Sequence, residues 1–209
     1  VIGGLELAKW LAFGAMLLDH VDLALFGRSQ PWMHAIGRFA LPCFAVAFGL
    51  GLARASDPLR VGARLVMPAL LAQAAWAFLP SAMDPRPVNV LAGFACLAWV
   101  EGMRRLWPAA GAAAFAGLLW MSSGIEGSYV LLLIVGATVL AERARTVELH
   151  AVGALAVAVA VPSPGAFVGL AAPHLARRLE IDLPRSAGLL AWAYAAHLAV
   201  LAALAAAFH

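Results

Sequence analysis

Long apolar runs broken at intervals by arginine clusters set the pattern of this chain. A helix that crosses a bilayer needs about 20 apolar residues. Segments 5–26, 35–54 and 186–208 meet that length, and 61–79 and 88–103 come close to it. Four shorter runs follow in the middle of the chain: 109–121, 129–140, 149–161 and 165–175. They are rich in alanine and punctuated by glycine and proline, the composition that lets neighbouring helices approach closely. Pro162-Ser163-Pro164 separates two of them as a helix break. The pattern predicts an all-α polytopic transmembrane bundle of nine helices, with eight and ten as the alternatives. No hydrophilic stretch is long enough for a separate soluble domain, so 1–209 reads as one transmembrane domain. Lys9 followed by an apolar run imitates a signal peptide, but Asp19, His20 and Asp22 interrupt that run, which reads as a retained first helix.

Composition agrees with the pattern. Apolar residues make up 64% of the chain and charged residues 12%, half of what a soluble surface carries. That excludes a cytosolic enzyme, a disordered tail and a soluble nucleic-acid binder. The net charge of +3 is a topology signal. Alternate loops carry Arg54, Arg60 and Arg64, then Arg104 and Arg105, then Arg143 and Arg145, then Arg177, Arg178 and Arg185, and Lys9 belongs with them. Cytoplasmic loops collect arginine and lysine, which predicts a cytoplasmic N-terminus in a multi-pass inner-membrane protein. Cys43 and Cys96 lie in apolar runs without metal-binding spacing and read as packed thiols.

The remaining polar residues fall at one depth. At 1.5 Å per residue, Asp19 and His20 lie roughly 9–10 Å below the outer end of the first helix. Arg38, Gln73, Asn89, Tyr194 and His197 fall in the same outer half. Intramembrane ionisable groups face a cavity or pair with each other. Asp19 and Asp22 share a helix face, while His20 points about 100° away from Asp19. This predicts an Asp19–Arg38 ion pair and leaves His20 to a cavity. The plainer reading is an interhelical polar clamp without chemistry. At the inner face Arg60 and Arg64 share a helix face and suit a phosphate, with Glu101 as counter-ion. There the plainer reading is positive-inside anchoring.

These residues carry a resemblance. Segment 8–20 (AKWLAFGAMLLDH) ends in Asp-His, and 36–44 (IGRFALPCF) has the Gly-Arg-Phe-Ala-x-Pro-x-Phe form. Arg60 to Gln73, Asn89-Val90-Leu91 and Tyr194-Ala-Ala-His197 follow in order. Together they resemble the TraX family of membrane proteins, a conjugal pilin acetylation family related to membrane-bound acyltransferases. Glu126-Gly127-Ser128-Tyr129 matches that family's acidic-Tyr-Gly motif in part, and its proline before the last-helix histidine is absent. The resemblance implies acetyl-CoA as co-substrate and no metal. It implies a pilin N-terminus or another envelope amine or hydroxyl as acceptor. It makes His20 general base or acetylated nucleophile, with Asp19, Arg38 and Asn89 in the catalytic group. Arg60 and Arg64 would meet the donor's phosphates, and Gln73, Tyr194 and His197 would stand behind or beside the substrate. Two other classes fit the polar residues: a small proton-coupled transporter using Asp19, Asp22, His20 and His197, and a non-catalytic assembly factor. A cavity joining the inner arginines to His20 discriminates among the three.

Overall fold

The computed structural model describes residues 3–79, 88–120, 128–144, 163–181, 183–186 and 188–208. The fold is all-α among them. The helices are α1 (Gly3–Phe26), α2 (Pro31–Gly37), α3 (Ala40–Arg54), α4 (Pro58–Trp76), α5 (Val90–Leu106), α6 (Pro108–Trp120), α7 (Ser128–Ala144), α8 (Pro164–Ala176) and α9 (Leu189–Phe208). Helices form at eight of the nine expected segments, and the ninth, 149–161, lies outside the described residues. The second helix starts earlier than the apolar run indicated. Pro31 sits in its first turn, where a missing N–H costs nothing, and α2 continues through Arg38 and Phe39 into α3 as one rod, Pro31–Arg54.

Local chemistry sets the other ends. Asp57 caps α4 by accepting from Arg60 N, and Pro58 follows it. Asn89 caps α5 through Leu91 N and Ala92 N, and Ser163 caps α8 through Ala166 N. These side chains satisfy amides that have no partner inside the helix. α1 ends when Gly27 and Arg28 take left-handed backbone (φ 56° and 63°) and Arg28 N reaches back to Asp22 O at 3.0 Å, which satisfies a carbonyl of the last turns.

α1, α4 and α9 run parallel, and α3, α5, α7 and α8 run against them. The pairing of charges shows it. Ser186 N donates to Glu6 Oε2 (3.0 Å), and Lys9 pairs with Glu6 (2.7 Å). Glu101 accepts from Arg104 (2.8 Å), Arg105 (2.9 Å) and Arg143 (2.7 Å). Arg105 also donates to Leu52 O and Ala55 O, closing the end of α3. Glu142 holds Arg54 (3.2 Å) and Arg177 (2.7 Å). Burial opposes its charge, but hydrogen bonds from Arg177 and Arg54 outweigh burial and keep its carboxyl below the usual carboxylate range. The arginines of four separate loops thus meet at one end of the bundle. Glu101 is spent on three of them, which corrects its expected pairing with Arg60 and Arg64.

Close helix contacts rest on glycine at particular crossings. A Cβ on Gly62 would come 2.5 Å from Trp99 Nε1 and 3.0 Å from Ala95 O, so α4 meets α5 backbone to side chain there. The exterior is apolar. Leu70 on α4, Phe78 in the turn after it, Trp120 on α6, Val168 on α8 and Val200 on α9 are exposed. Soluble monomers seldom show so much apolar surface. Among the described residues two rods, Pro31–Arg54 and Leu189–Ala207, are long and apolar enough to cross a membrane. Both features agree with a membrane protein.

Candidate functional site

His20 lies on α1 about 21 Å from Glu6 at helical rise, so the two mark opposite ends of one rod. α9 starts beside Glu6 and reaches His197 at the height of His20. His20 Nδ1 and His197 Nε2 are 2.7 Å apart. Their ring centroids are 5.0 Å apart and their planes 6° apart. A 2.7 Å nitrogen contact between near-coplanar rings is an edge-to-edge hydrogen bond. Its polarity follows from the far side of His197, where Nδ1 lies 3.3 Å from Ala193 O. A carbonyl only accepts, so His197 Nδ1 carries a proton, and in the neutral ring Nε2 holds the lone pair. His20 Nδ1 therefore donates, and the basic nitrogen of neutral His20 is Nε2.

The pair is enclosed in aromatic rings. Trp76 stands 5.5 Å from His20, Tyr194 stands 6.0 Å from His20 and 5.3 Å from His197, and Phe13 stands 5.8 Å from His197. His20 and Tyr194 are each 3% exposed. Trp76, which the sequence left without a role, forms one wall.

An apolar cavity of about 350 Å³ lies between α1, α3, α4, α5 and α9. Its lining starts at Lys9, Gly51, Ser186 and Gly188, near the arginine-rich end, and reaches Phe13, Met16 and Tyr194 beside the histidines. Between these lie Phe48, Leu65, Phe94 and Ala191. Lys9 is the charged side chain in the lining, a position the sequence marked only as topology. Arg60 and Arg64 are exposed on the first turns of α4, and their neighbours Val61 and Leu65 face the cavity in their place.

Gln73 and Asn89 do meet. Asn89 N and Nδ2 donate to Gln73 Oε1 (2.8 and 2.9 Å), and Nδ2 also donates to Ala69 O (2.9 Å). With Oδ1 capping α5, every polar atom of Asn89 is engaged in the α4–α5 joint, which gives this residue a structural occupation.

Asp19 and Arg38 do not pair directly. His34 stands between them and corrects that expectation. Asp19 Oδ1 is 3.0 Å from His34 Nδ1, and Arg38 Nε and Nη2 donate to His34 Nε2 (3.1 and 2.8 Å). Arg28 Nη1 lies 2.9 Å from His34 Nδ1 and 3.5 Å from Asp19 Oδ1. Arg38 and His34 are four residues apart on one helical rod, a spacing that could have found them. Asp22 is fully buried and takes Gln30 N on Oδ1 at 2.9 Å, while Oδ2 has no partner among the described residues. Both aspartates serve the α1–α2 turn, on a different face from His20. Glu126 and the Tyr129 side chain lie outside the described residues.

Comparison with known proteins points one way. The family model described as "TraX protein" matches residues 4–205. The protein named Protein TraX of Escherichia coli is 42% identical over 52 residues, 25% of this chain and 21% of that protein's length. No solved structure matches.

Proposed function

The chain belongs to the TraX family, and on that membership and the site's geometry we propose that it is an inner-membrane acetyltransferase. It moves an acetyl group from cytoplasmic acetyl-CoA to a pilin N-terminus or another envelope amine or hydroxyl. The observation that carries this reading is the cavity between the arginine-rich end and the buried histidine pair.

Positive-inside sorting orients the bundle with the arginine-rich end in the cytoplasm, the N-terminus on that side, and about nine spans in all. The donor's phosphates meet Arg60, Arg64 and Lys9 at that end, in the fork geometry that guanidinium offers. The thin pantetheine arm lies along the apolar lining and brings the thioester to Tyr194. His20 Nε2 then acts as general base on the acceptor or as a transiently acetylated nucleophile. An imidazole serves either role near neutral pH. His197 keeps the proton off Nε2. Asp19 and Arg38 stand at the same height on the other side of α1, where an acceptor from the outer face arrives.

A proton-coupled transporter would line Asp19, Asp22, His20 and His197 into one relay, but both aspartates turn toward α2. A pure assembly factor needs no cavity.

The test uses purified protein, radiolabelled acetyl-CoA and a membrane extract. The reading expects label in a pilin, lipid or glycan, and no labelled acceptor at any protein concentration refutes it. Arg60→Ala with Arg64→Ala should raise the KM for acetyl-CoA; an unchanged KM leaves these residues as topology signals only.

A further inference from the structure

On the far side of α1 from His20, the guanidinium of Arg38 meets no carboxylate among the described residues. Arg28 shares the carboxylate of Asp19. Arg38 is exposed, and among the described residues its guanidinium contacts the imidazole of His34. Both guanidinium donors of Arg38 land on Nε2, which offers them its lone pair, while Nδ1 lies between Asp19 Oδ1 and Arg28 Nη1. His34 thus props Arg38, whose guanidinium reaches the surface at the outer end of the bundle.

The surroundings hold this arrangement in place. Arg28 is the described non-glycine residue with left-handed backbone (φ 63°), a conformation that persists where neighbours impose it. Asp22 imposes it, through its carbonyl on Arg28 N and its carboxylate on Gln30 N. Gly37 lets α2 lie against Asp19, since a Cβ there would come 2.8 Å from Asp19 Oδ1. Gly165 lets α8 approach from the other side, 3.5 Å from Arg38 Cβ by the same measure. That end of α8 brings Ser163 and Gly165 and no charge.

We propose that Arg38, aimed by the Asp19–His34 pair, is the recognition arm of an oxyanion site for a carboxylate or phosphate. A fork of guanidinium N–H groups binds either oxyanion in two parallel hydrogen bonds, and a charged acceptor outcompetes an imidazole nitrogen. The ligand takes Arg38 away from His34 Nε2 as it binds. His34 is a positioning residue here. On the acetyltransferase reading the oxyanion belongs to the acceptor or to a lipid headgroup beside it, but the binding itself does not depend on that reading.

The test follows the His34 ring nitrogens in the full chain labelled with ¹⁵N-histidine, with the signal identified by its loss in His34→Gln. No acetyl donor is present, so a silent transfer assay and a silent binding assay are separate results. Inorganic phosphate is titrated in neutral detergent in one arm; phosphatidylglycerol replaces phosphatidylcholine in nanodiscs in the other. A saturable move of His34 Nε2 is expected, with affinity at least about tenfold weaker in Arg38→Gln and intermediate in Arg38→Lys, which keeps the charge and loses the fork. A response to phosphate assigns a soluble oxyanion, and a response confined to the lipid arm assigns a headgroup. The His20 and His197 signals report that each variant is folded. An unmoved His34 in both arms, or the same move in folded Arg38→Gln, overturns the proposal.

Discussion

His197 decides which nitrogen of His20 is basic, and a single substitution separates that role from packing. His197→Ala leaves His20 Nδ1–H without its acceptor and should lower kcat for acetyl transfer by about 100-fold, the scale of a lost general base. His197→Gln supplies an amide oxygen and should recover part of that loss. Equal rates for the two variants would reduce His197 to a filler of space. Arg28 gives a second test at this scale. Its left-handed backbone favours glycine, so Arg28→Gly should be more stable than Arg28→Ala by about 1 kcal/mol in thermal unfolding. Equal stabilities would remove the strain. The divergence of Asp19 and His20 was legible from helical geometry alone. His34 was not, because the predicted second span began at residue 35 and left it outside.

At the level of elements, apolar run length located the helices, but the capping residues that set their starts were not read from the sequence. Asp57, Asn89 and Ser163 each precede a helix by the rule that a short polar side chain fills an orphan amide. Helix pairing was less legible, because the alanine that lines α9 looks the same whether it packs or faces outward. Glycine records some of the contacts. Gly62→Val should cost about 1–3 kcal/mol by overpacking against Trp99 and Ala95. Gly117→Val, with nothing within 4 Å, is the neutral control. Comparable melting temperatures for the two would deny the α4–α5 crossing. Glu142 ties α3, α7 and α8 together. Its lowered pKa means that the clamp is intact above the ordinary carboxylate range and is lost as pH falls through the lowered value. Glu142→Gln should therefore lower the melting temperature near neutrality and change it less at about pH 3. The same loss at both pH values would break that linkage.

Across the described residues, arginines from the alternating loops gather at one end, and the histidine pair lies toward the other. The first of these was legible, since positive loops recur at every second connection. The cavity between the two was not. Its walls come from five helices, and each contributes apolar residues that a sequence cannot tell from packed core. Ala191 is one of them, and Ala191→Phe should fill the passage, raising the KM for acetyl-CoA while the protein stays folded. The central claim is that an acetyl group crosses to an envelope acceptor through His20. It is tested most directly by radiolabelled transfer from acetyl-CoA with equal amounts of folded wild-type and His20→Ala protein. Wild type should label the acceptor and His20→Ala should leave it unlabelled. Equal labelling by the two proteins would contradict the account.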